Sequence, residues 1–209
     1  MRPSSHSFAR CLIAGLCAFI TNLALPGDIV INPGRISFDT QASTIRLPDG
    51  GGMAIWKAYH RSKERVLTRV IGADQVPASI IQLNATPAVI DHPLLTASSN
   101  GRHIWAFWAE RDEGHWHLRA RQYSDQKWLP IVELSGPADD AIKPSAVVRN
   151  DGSVIAGWHE FTAGNAVRAR LRQLTGGKWI DPVTVSNARH DSFRLALVDV
   201  LLGPLELLQ

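Results

Sequence analysis

The chain has 209 residues, of which 45% are hydrophobic, and this content excludes an intrinsically disordered or collagen-like protein. No uninterrupted apolar run reaches the roughly 18 residues of a membrane span, so a polytopic membrane protein is excluded as well. The formal charge of +3 comes from 22 basic and 19 acidic residues scattered along the sequence. Because nucleic-acid binding needs clustered basic residues, we expect no nucleic-acid partner.

The first predicted element is a signal peptide over residues 1–27. Arg2 and Arg10 lie in a polar start, and a long apolar run follows them, which is the pattern of a secretory signal. The mature chain is expected to begin between Leu23 and Asp28 and to be secreted or periplasmic. A retained signal anchor is the alternative.

Both cysteines, Cys11 and Cys17, lie within this first element. The mature chain would therefore contain no thiol. Neither a disulfide nor a thiolate metal site is expected in it.

A period of about 50 residues organises the rest of the chain. Three tryptophans, 52 and 50 residues apart, each follow a turn signal and an apolar stretch: Trp56, Trp108 and Trp158. Arginine recurs at a second position of the repeat, as Arg69, Arg121 and Arg172. Such a regular period predicts an array of repeated structural units.

Each unit contains four short runs with strand character, which in the second unit are residues 93–99, 103–110, 117–124 and 129–135. Four strands in about 50 residues are typical of a β-propeller blade. We therefore predict an all-β, β-propeller-like fold of three four-stranded antiparallel blades. A β-sandwich of about twelve strands is the alternative.

The blades are predicted at residues 39–90, 91–138 and 139–187, within a repeat domain of residues 28–209. The second strand of a unit is apolar on both faces, which fits a sheet packed between two neighbouring sheets. Residues 188–209 look like the opening of a fourth blade without its remaining strands. Since closed propellers have four to eight blades, the sequence predicts either a piece of a longer propeller or half of a two-chain assembly with six blades.

The segments DGSVIAGWHE, RARLRQL and GKWIDPVTVS resemble the repeats of sialidase-like propellers, the group described by BNR or Asp-box repeats. The resemblance covers roughly Asp39 to Asp191. It implies a propeller fold and, in the catalytic members, hydrolysis of a terminal sugar by a tyrosine nucleophile, with three arginines on the substrate carboxylate. The chain departs from the Asp-box pattern, because Arg121 and Tyr123 stand at the Ser and Asp positions before Trp128.

Arg46-Leu47-Pro48 looks like the Arg-Ile-Pro of the first blade in that family. The repeat register offers another interpretation, in which Pro48 begins the turn between two strands. We assign no catalytic residue from the sequence.

Six residues at equivalent positions of the second and third units are the candidate ligand-binding residues: Trp108, Glu110, Arg121, Trp158, Glu160 and Arg172. Arg and Glu can form bidentate hydrogen bonds with sugar hydroxyls, and a Trp ring can stack on the apolar face of a sugar. The first unit has Ala58 at the Glu position and is therefore expected not to bind the ligand.

The sequence therefore predicts a secreted, non-catalytic repeat module that binds glycans or other cell-surface ligands, with avidity from repeated sites. Two alternatives stay open: a sialidase-like exo-glycoside hydrolase, and an envelope scaffold without a small ligand. Glycan binding and sialoside hydrolysis distinguish the three.

Two further groups have a simpler structural interpretation. His115 and His117 lie on one face of a predicted strand, as a metal pair would, and Asp139-Asp140 offers oxygen ligands for calcium. Neither group shows the remaining ligands that a metal site needs, so we expect no metal and no cofactor. An arginine ladder on the third strands is expected mainly to pair with carboxylates such as Glu110 and Glu160: Arg119, Arg121, Arg168, Arg170 and Arg172.

Overall fold

The computed structural model describes residues 29–33, 38–136, 140–162, 166–187, 191–192 and 195–198. The predicted signal peptide lies outside these residues, as do Asp139 and most of residues 188–209. The chain divides into the units Met1–Val30 and Ile31–Gln209, and all the strands belong to the second.

The described residues form strands in three antiparallel sheets. Blade 1 contains β1 (Phe38–Arg46), β2 (Gly52–His60), β3 (Lys63–Ile71) and β4 (Ile81–Gln82). Blade 2 contains β5 (Val89–Ala97), β6 (Ile104–Asp112), β7 (His115–Ser124), β8 (Lys127–Trp128) and β9 (Val132–Glu133). Blade 3 contains β10 (Asp140–Val148), β11 (Val154–Phe161), β12 (Val167–Thr175), β13 (Lys178–Trp179) and β14 (Val183–Thr184).

Each sheet is a sequential meander, β1-β2-β3-β4, β5-β6-β7-β8 and β10-β11-β12-β13. The all-β, propeller-like fold with three antiparallel blades is therefore confirmed. The described part of the chain contains no helix that is long and apolar enough to cross a membrane.

The fourth strand of blades 2 and 3 is shorter than predicted and is divided in two. β8 and β9 both pair with β7, and β13 and β14 both pair with β12. Pro130 and Pro182 lie between these pieces and have no N–H to donate to the neighbouring strand. The outer edge of these blades is consequently interrupted.

The hydrophobic core lies between the blades. One cluster joins Met53 and Ile55 of blade 1 to Ala106 and Trp108 of blade 2. A second cluster joins blade 2 to blade 3 and includes Trp105, Phe107, Leu118, Ala156 and Trp158. In blade 2 the second strand is apolar on both faces because one face packs against blade 1 and the other against blade 3, as the sequence pattern indicated.

We call the first strand of each blade, β1, β5 or β10, its inner strand. The inner strands carry a β-bulge at one repeated position, occupied by Gln41, His92 and Lys143, with φ of 52°, 45° and 52°. At this bulge Gln41 Oε1 accepts a hydrogen bond from His92 N at 3.1 Å. Ser43 Oγ likewise accepts one from Leu95 N at 3.1 Å. These contacts align blades 1 and 2 in register.

At the opposite end of the inner strands, Ser99 Oγ donates to Asn150 Oδ1 at 3.0 Å and aligns blades 2 and 3. Because these contacts align the blades, their other ends coincide as well. Those ends carry the β2–β3, β6–β7 and β11–β12 connections and the starts of β1, β5 and β10. We call this common end the hairpin end.

Residues 191–192 and 195–198 occupy the place of a further inner strand. Asp191 Oδ1 accepts a hydrogen bond from Val167 N at 2.8 Å, as Asp140 Oδ1 does from Trp116 N at 2.9 Å. Leu197 N donates to Ser145 Oγ at 2.9 Å, repeating the Ser43–Leu95 contact. The described part of this segment packs on blade 3 in the way that each inner strand packs on the blade before it.

Candidate functional site

Charged side chains are concentrated at the hairpin end of blade 2. Arg119 Nη1 lies 2.9 Å from Glu133 Oε2 and its Nη2 lies 3.8 Å from Asp112 Oδ2. His117 Nδ1 lies 3.3 Å from Glu133 Oε1, close enough for an ion pair but without hydrogen-bond direction. We call Glu110, Asp112, His117, Arg119 and Glu133 the Arg119 cluster.

Strand pairing places the whole cluster on one face of the sheet. Glu110 lies opposite His117, and Arg119 lies opposite both Trp108 and Glu133. Directly paired residues share a face in an antiparallel sheet. Because Trp108 packs against blade 1, the Arg119 cluster faces blade 1.

Blade 3 repeats part of this arrangement in the same register. Arg170 lies opposite Trp158 and Thr184. Its Nη1 is 3.4 Å from Glu160 Oε1 and donates to Thr184 Oγ1 at 3.2 Å. Arg119 and Arg170 are therefore the equivalent arginines that stand beside carboxylates.

Trp108 and Trp158 are fully buried, with 0% exposed surface. Their rings lie in the clusters between blades, and Trp108 Nε1 donates to Glu110 Oε2 at 2.9 Å. Buried rings offer no face to a sugar. In this structure they hold blades together, whereas the sequence analysis had assigned them to the ligand.

Arg121 and Arg172 bind backbone carbonyls. Arg121 Nε donates to Leu129 O at 2.6 Å, Nη2 to Trp128 O at 2.9 Å and Nη1 to Leu83 O at 3.1 Å. Since Leu83 ends the outer part of blade 1, the guanidinium ties blade 2 to the preceding blade. Burial lowers the pKa of Arg121 from its ordinary value.

The same connection occurs three times. Arg172 Nε donates to Ile180 O at 2.8 Å and Nη1 to Leu134 O at 2.9 Å. Arg69 Nη1 donates to Ile31 O at 2.8 Å. In all three contacts the carbonyl comes 38 residues before the arginine. We call this connection the arginine clamp.

Exposed aromatic side chains at the hairpin end were missed by the sequence analysis. Phe38 is 70% exposed, Tyr59 43% and Phe161 42%. Phe38 lies directly opposite Tyr59 in blade 1. The sequence does contain a pattern that indicates Tyr59 and Phe161: each is an aromatic residue at the end of the apolar second strand, directly after the position of Ala58 and Glu160.

The histidine pair and the Arg-Leu-Pro segment have other partners. His115 Nδ1 lies 3.7 Å from Asp140 Oδ2, and His117 faces Glu133. The described residues contain no group of three His, Cys, Asp or Glu side chains that could hold a metal ion. Pro48 lies in the β1–β2 turn, where Gly50 N donates to Leu47 O at 3.0 Å.

His159 is buried, with 3% exposed surface, and its Nε2 accepts a hydrogen bond from Leu195 N at 3.1 Å. Burial first, and then the positive charge of Lys143, lower the pKa of His159. The folded state therefore binds this proton less readily than the unfolded state. Stability should fall as the pH drops below about 6.5, the ordinary histidine value, until the lower folded pKa is reached.

Thermal unfolding between pH 8 and pH 5 tests this expectation. His159→Gln is the control, because an amide can accept the same hydrogen bond without titrating. All other ionisable groups are common to the two proteins, so the difference between the two pH profiles isolates His159. Identical profiles would contradict the expectation.

A scan against protein-family models gives no match, and neither does a search of the curated proteins. One matching solved structure is titled "The GH130 family of mannoside phosphorylases contains glycoside hydrolases that target beta-1,2 mannosidic linkages in Candida mannan". The two chains are 12% identical with a TM-score of 0.43. The match covers 75% of this chain and 50% of the other, so this chain spans about half the length of that structure.

Proposed function

We propose that this chain is a non-catalytic propeller-like module that binds glycans at its hairpin end. The observation that carries the proposal is the Arg119 cluster. It places a guanidinium and several carboxylates at one end of a blade. The equivalent arginine of blade 3, Arg170, also lies beside a glutamate, although that glutamate is Glu160 on the second strand.

The Arg119 cluster has the chemistry that sugar hydroxyls require. A sugar hydroxyl both donates and accepts hydrogen bonds, so a carboxylate beside a guanidinium can bind two neighbouring hydroxyls together. The Arg119 side chain is 20% exposed, that of Glu133 34% and that of Asp112 61%. These groups are held by each other and still reach the surface.

The arginine assigned to the ligand differs from the one chosen in the sequence analysis. Arg121 already binds three carbonyls, whereas Arg119, two residues earlier on the same face, pairs with carboxylates at the hairpin end. Glu110 remains in the cluster as a buried acid, with 7% exposed surface. It accepts the hydrogen bond from Trp108 Nε1 and lies opposite His117.

Secretion is part of the proposal. The basic start and apolar run of the first residues support export, and an exported module would meet the glycans of cell surfaces. Repeated sites on such a module increase the apparent affinity through avidity. Mass spectrometry of the exported protein should find a mature N-terminus between Leu23 and Asp28.

A glycan array followed by calorimetry with the best ligand tests the function. Arg119→Ala should weaken binding by about 1.5 to 3 kcal/mol, the range for a hydrogen bond to a charged group. The Arg119 and Glu133 side chains are 20% and 34% exposed, so Glu133 stays in contact with water when its partner is removed, and the variant should lose only about 1 kcal/mol of stability. Glu133→Gln should also weaken glycan binding.

Arg65→Ala is the matched control, since Arg65 occupies the third strand of blade 1 opposite Ala58 and belongs to no such cluster. It should bind as the parent does. A parent protein that binds no glycan on the array contradicts the proposal. Hydrolysis of a fluorogenic sialoside would instead support the catalytic alternative.

A further inference from the structure

Blade 1 carries an aromatic pair at the hairpin end. Phe38 and Tyr59 are direct partners in adjacent antiparallel strands, so their side chains lie on one face with Cβ atoms about 5 Å apart. Both are large side chains that remain 70% and 43% exposed. We call this pair of exposed aromatic side chains the aromatic platform.

The platform faces blade 2. Side chains alternate between the two faces of a strand, and Tyr59 is four residues beyond Ile55, so both lie on the same face of β2. Ile55 packs in the cluster that contains Trp108. Tyr59 and Phe38 therefore stand on the face of blade 1 that is turned towards blade 2.

The Arg119 cluster stands on the opposite wall. It shares its face with Trp108, which packs against blade 1, and it lies at the same end of the sheets. Packed sheets are about 10 Å apart. Residues 84–88 connect the two walls at this end. Beside Tyr59 the two blades touch, because Lys57 Nζ donates to Ile90 O at 3.2 Å and Glu64 Oε2 accepts a hydrogen bond from Ile90 N at 2.6 Å. Around this contact, the facing surfaces carry the two aromatic side chains on blade 1 and the hydrogen-bonding charges of the Arg119 cluster on blade 2.

No other described blade interface repeats this combination. At the positions of Phe38 and Tyr59, blade 2 has Val89 opposite Arg111 and blade 3 has Asp140 opposite Phe161. Phe161 is as exposed as Tyr59, but its face of blade 3 is turned away from blade 2. Blade 1, which lacks the repeated glutamate, is the one blade that offers an aromatic pair to the Arg119 cluster.

We propose that the groove between blades 1 and 2 is the glycan site, with a sugar ring stacked on the Phe38–Tyr59 platform and its hydroxyls bound by Arg119 and Glu133. This inference rests on the glycan-binding function proposed above. It specifies the ligand as a sugar with one continuous apolar face and adjacent hydroxyls on its opposite edge. Stacking needs the ring and not the phenolic hydroxyl.

The test compares variants against the best array ligand by calorimetry. Tyr59→Ala and Phe38→Ala should each weaken binding about two- to tenfold, the usual effect of an aromatic contact. Tyr59→Phe should bind like the parent. Unfolding temperatures should stay close to the parent value, because both side chains are largely exposed.

Phe161→Ala is the matched control, since it removes an equally exposed aromatic ring at the same strand position of blade 3. It should leave the affinity unchanged. If a glycan binds and the loss follows Phe161 but not Tyr59 or Phe38, the groove assignment is overturned while the function stands. If Tyr59→Phe loses as much affinity as Tyr59→Ala, stacking is overturned. A parent protein that binds no glycan overturns both proposals.

Discussion

Trp108→Ala should lower the free energy of unfolding by about 3 to 5 kcal/mol, the range for deleting a buried aromatic side chain. Trp108 has no exposed surface and packs with Met53 and Ile55 of the neighbouring blade. The variant loses these contacts, leaves a cavity and removes the hydrogen-bond donor to Glu110. Urea unfolding monitored by circular dichroism measures the loss.

Phe161→Ala provides the comparison, because that ring is 42% exposed and its removal creates no enclosed cavity. Its free energy of unfolding should change by less than about 1 kcal/mol. A Trp108→Ala protein with parental stability would show that the ring does not hold the blades together. The stacking role assigned from the sequence would then regain support.

Arg121→Ala should lower the free energy of unfolding by about 1.5 to 3 kcal/mol and leave glycan affinity unchanged. Three carbonyl oxygens, on Leu83, Trp128 and Leu129, lose their donor in this variant. Arg119→Ala should do the reverse and weaken glycan binding with little loss of stability. Measuring both properties in both variants separates the clamp from the ligand site.

Arg121→Lys is the informative control for the clamp. It keeps the positive charge but lacks the planar fork that reaches several acceptors in fixed directions. It should therefore be nearly as destabilised as Arg121→Ala. If lysine restores full stability, charge alone accounts for the effect. If Arg121→Ala loses glycan affinity at unchanged stability, the arginine belongs to the ligand site.

The blades could be predicted from sequence because their signals are local and repeated. A second strand that is apolar on both faces needs a neighbouring sheet on each side, and the period of Trp56, Trp108 and Trp158 marks one such strand per unit. The same pattern explains why a ligand-binding role was predicted for Trp rings that the structure places in the core. A tryptophan in an apolar run packs into a core, and its repetition shows a repeated interface.

Which arginine stands beside a carboxylate could not be predicted from spacing. Arg119 and Arg121 are two residues apart, so they share a face and a sequence pattern. Their roles differ because β9 places Glu133 opposite Arg119, while Leu83 of the preceding blade places its carbonyl at Arg121. Both partners are distant in sequence, and the break at Pro130 sets the position of one of them.

The aromatic platform depends on the pairing of Phe38 with Tyr59 across a turn. Phe38 comes before the turn and Tyr59 after it, and the repeat comparison places a valine and an aspartate at the positions of Phe38 in the other blades. Periodicity emphasises what recurs. Comparison of the repeats therefore does not reveal a site whose residues occur in only one blade.

The arginine clamp makes the blades differ in how easily they unfold locally. Each clamp holds its blade to a carbonyl of the segment before it, and the clamp of blade 1 binds Ile31, which belongs to none of the described strands. Stability in such arrays is a sum of unit and nearest-neighbour terms. Both clamps of blade 2, through Arg121 and through Leu134, join it to another described sheet. Blade 1 should therefore exchange its amide hydrogens through openings of lower free energy than blade 2.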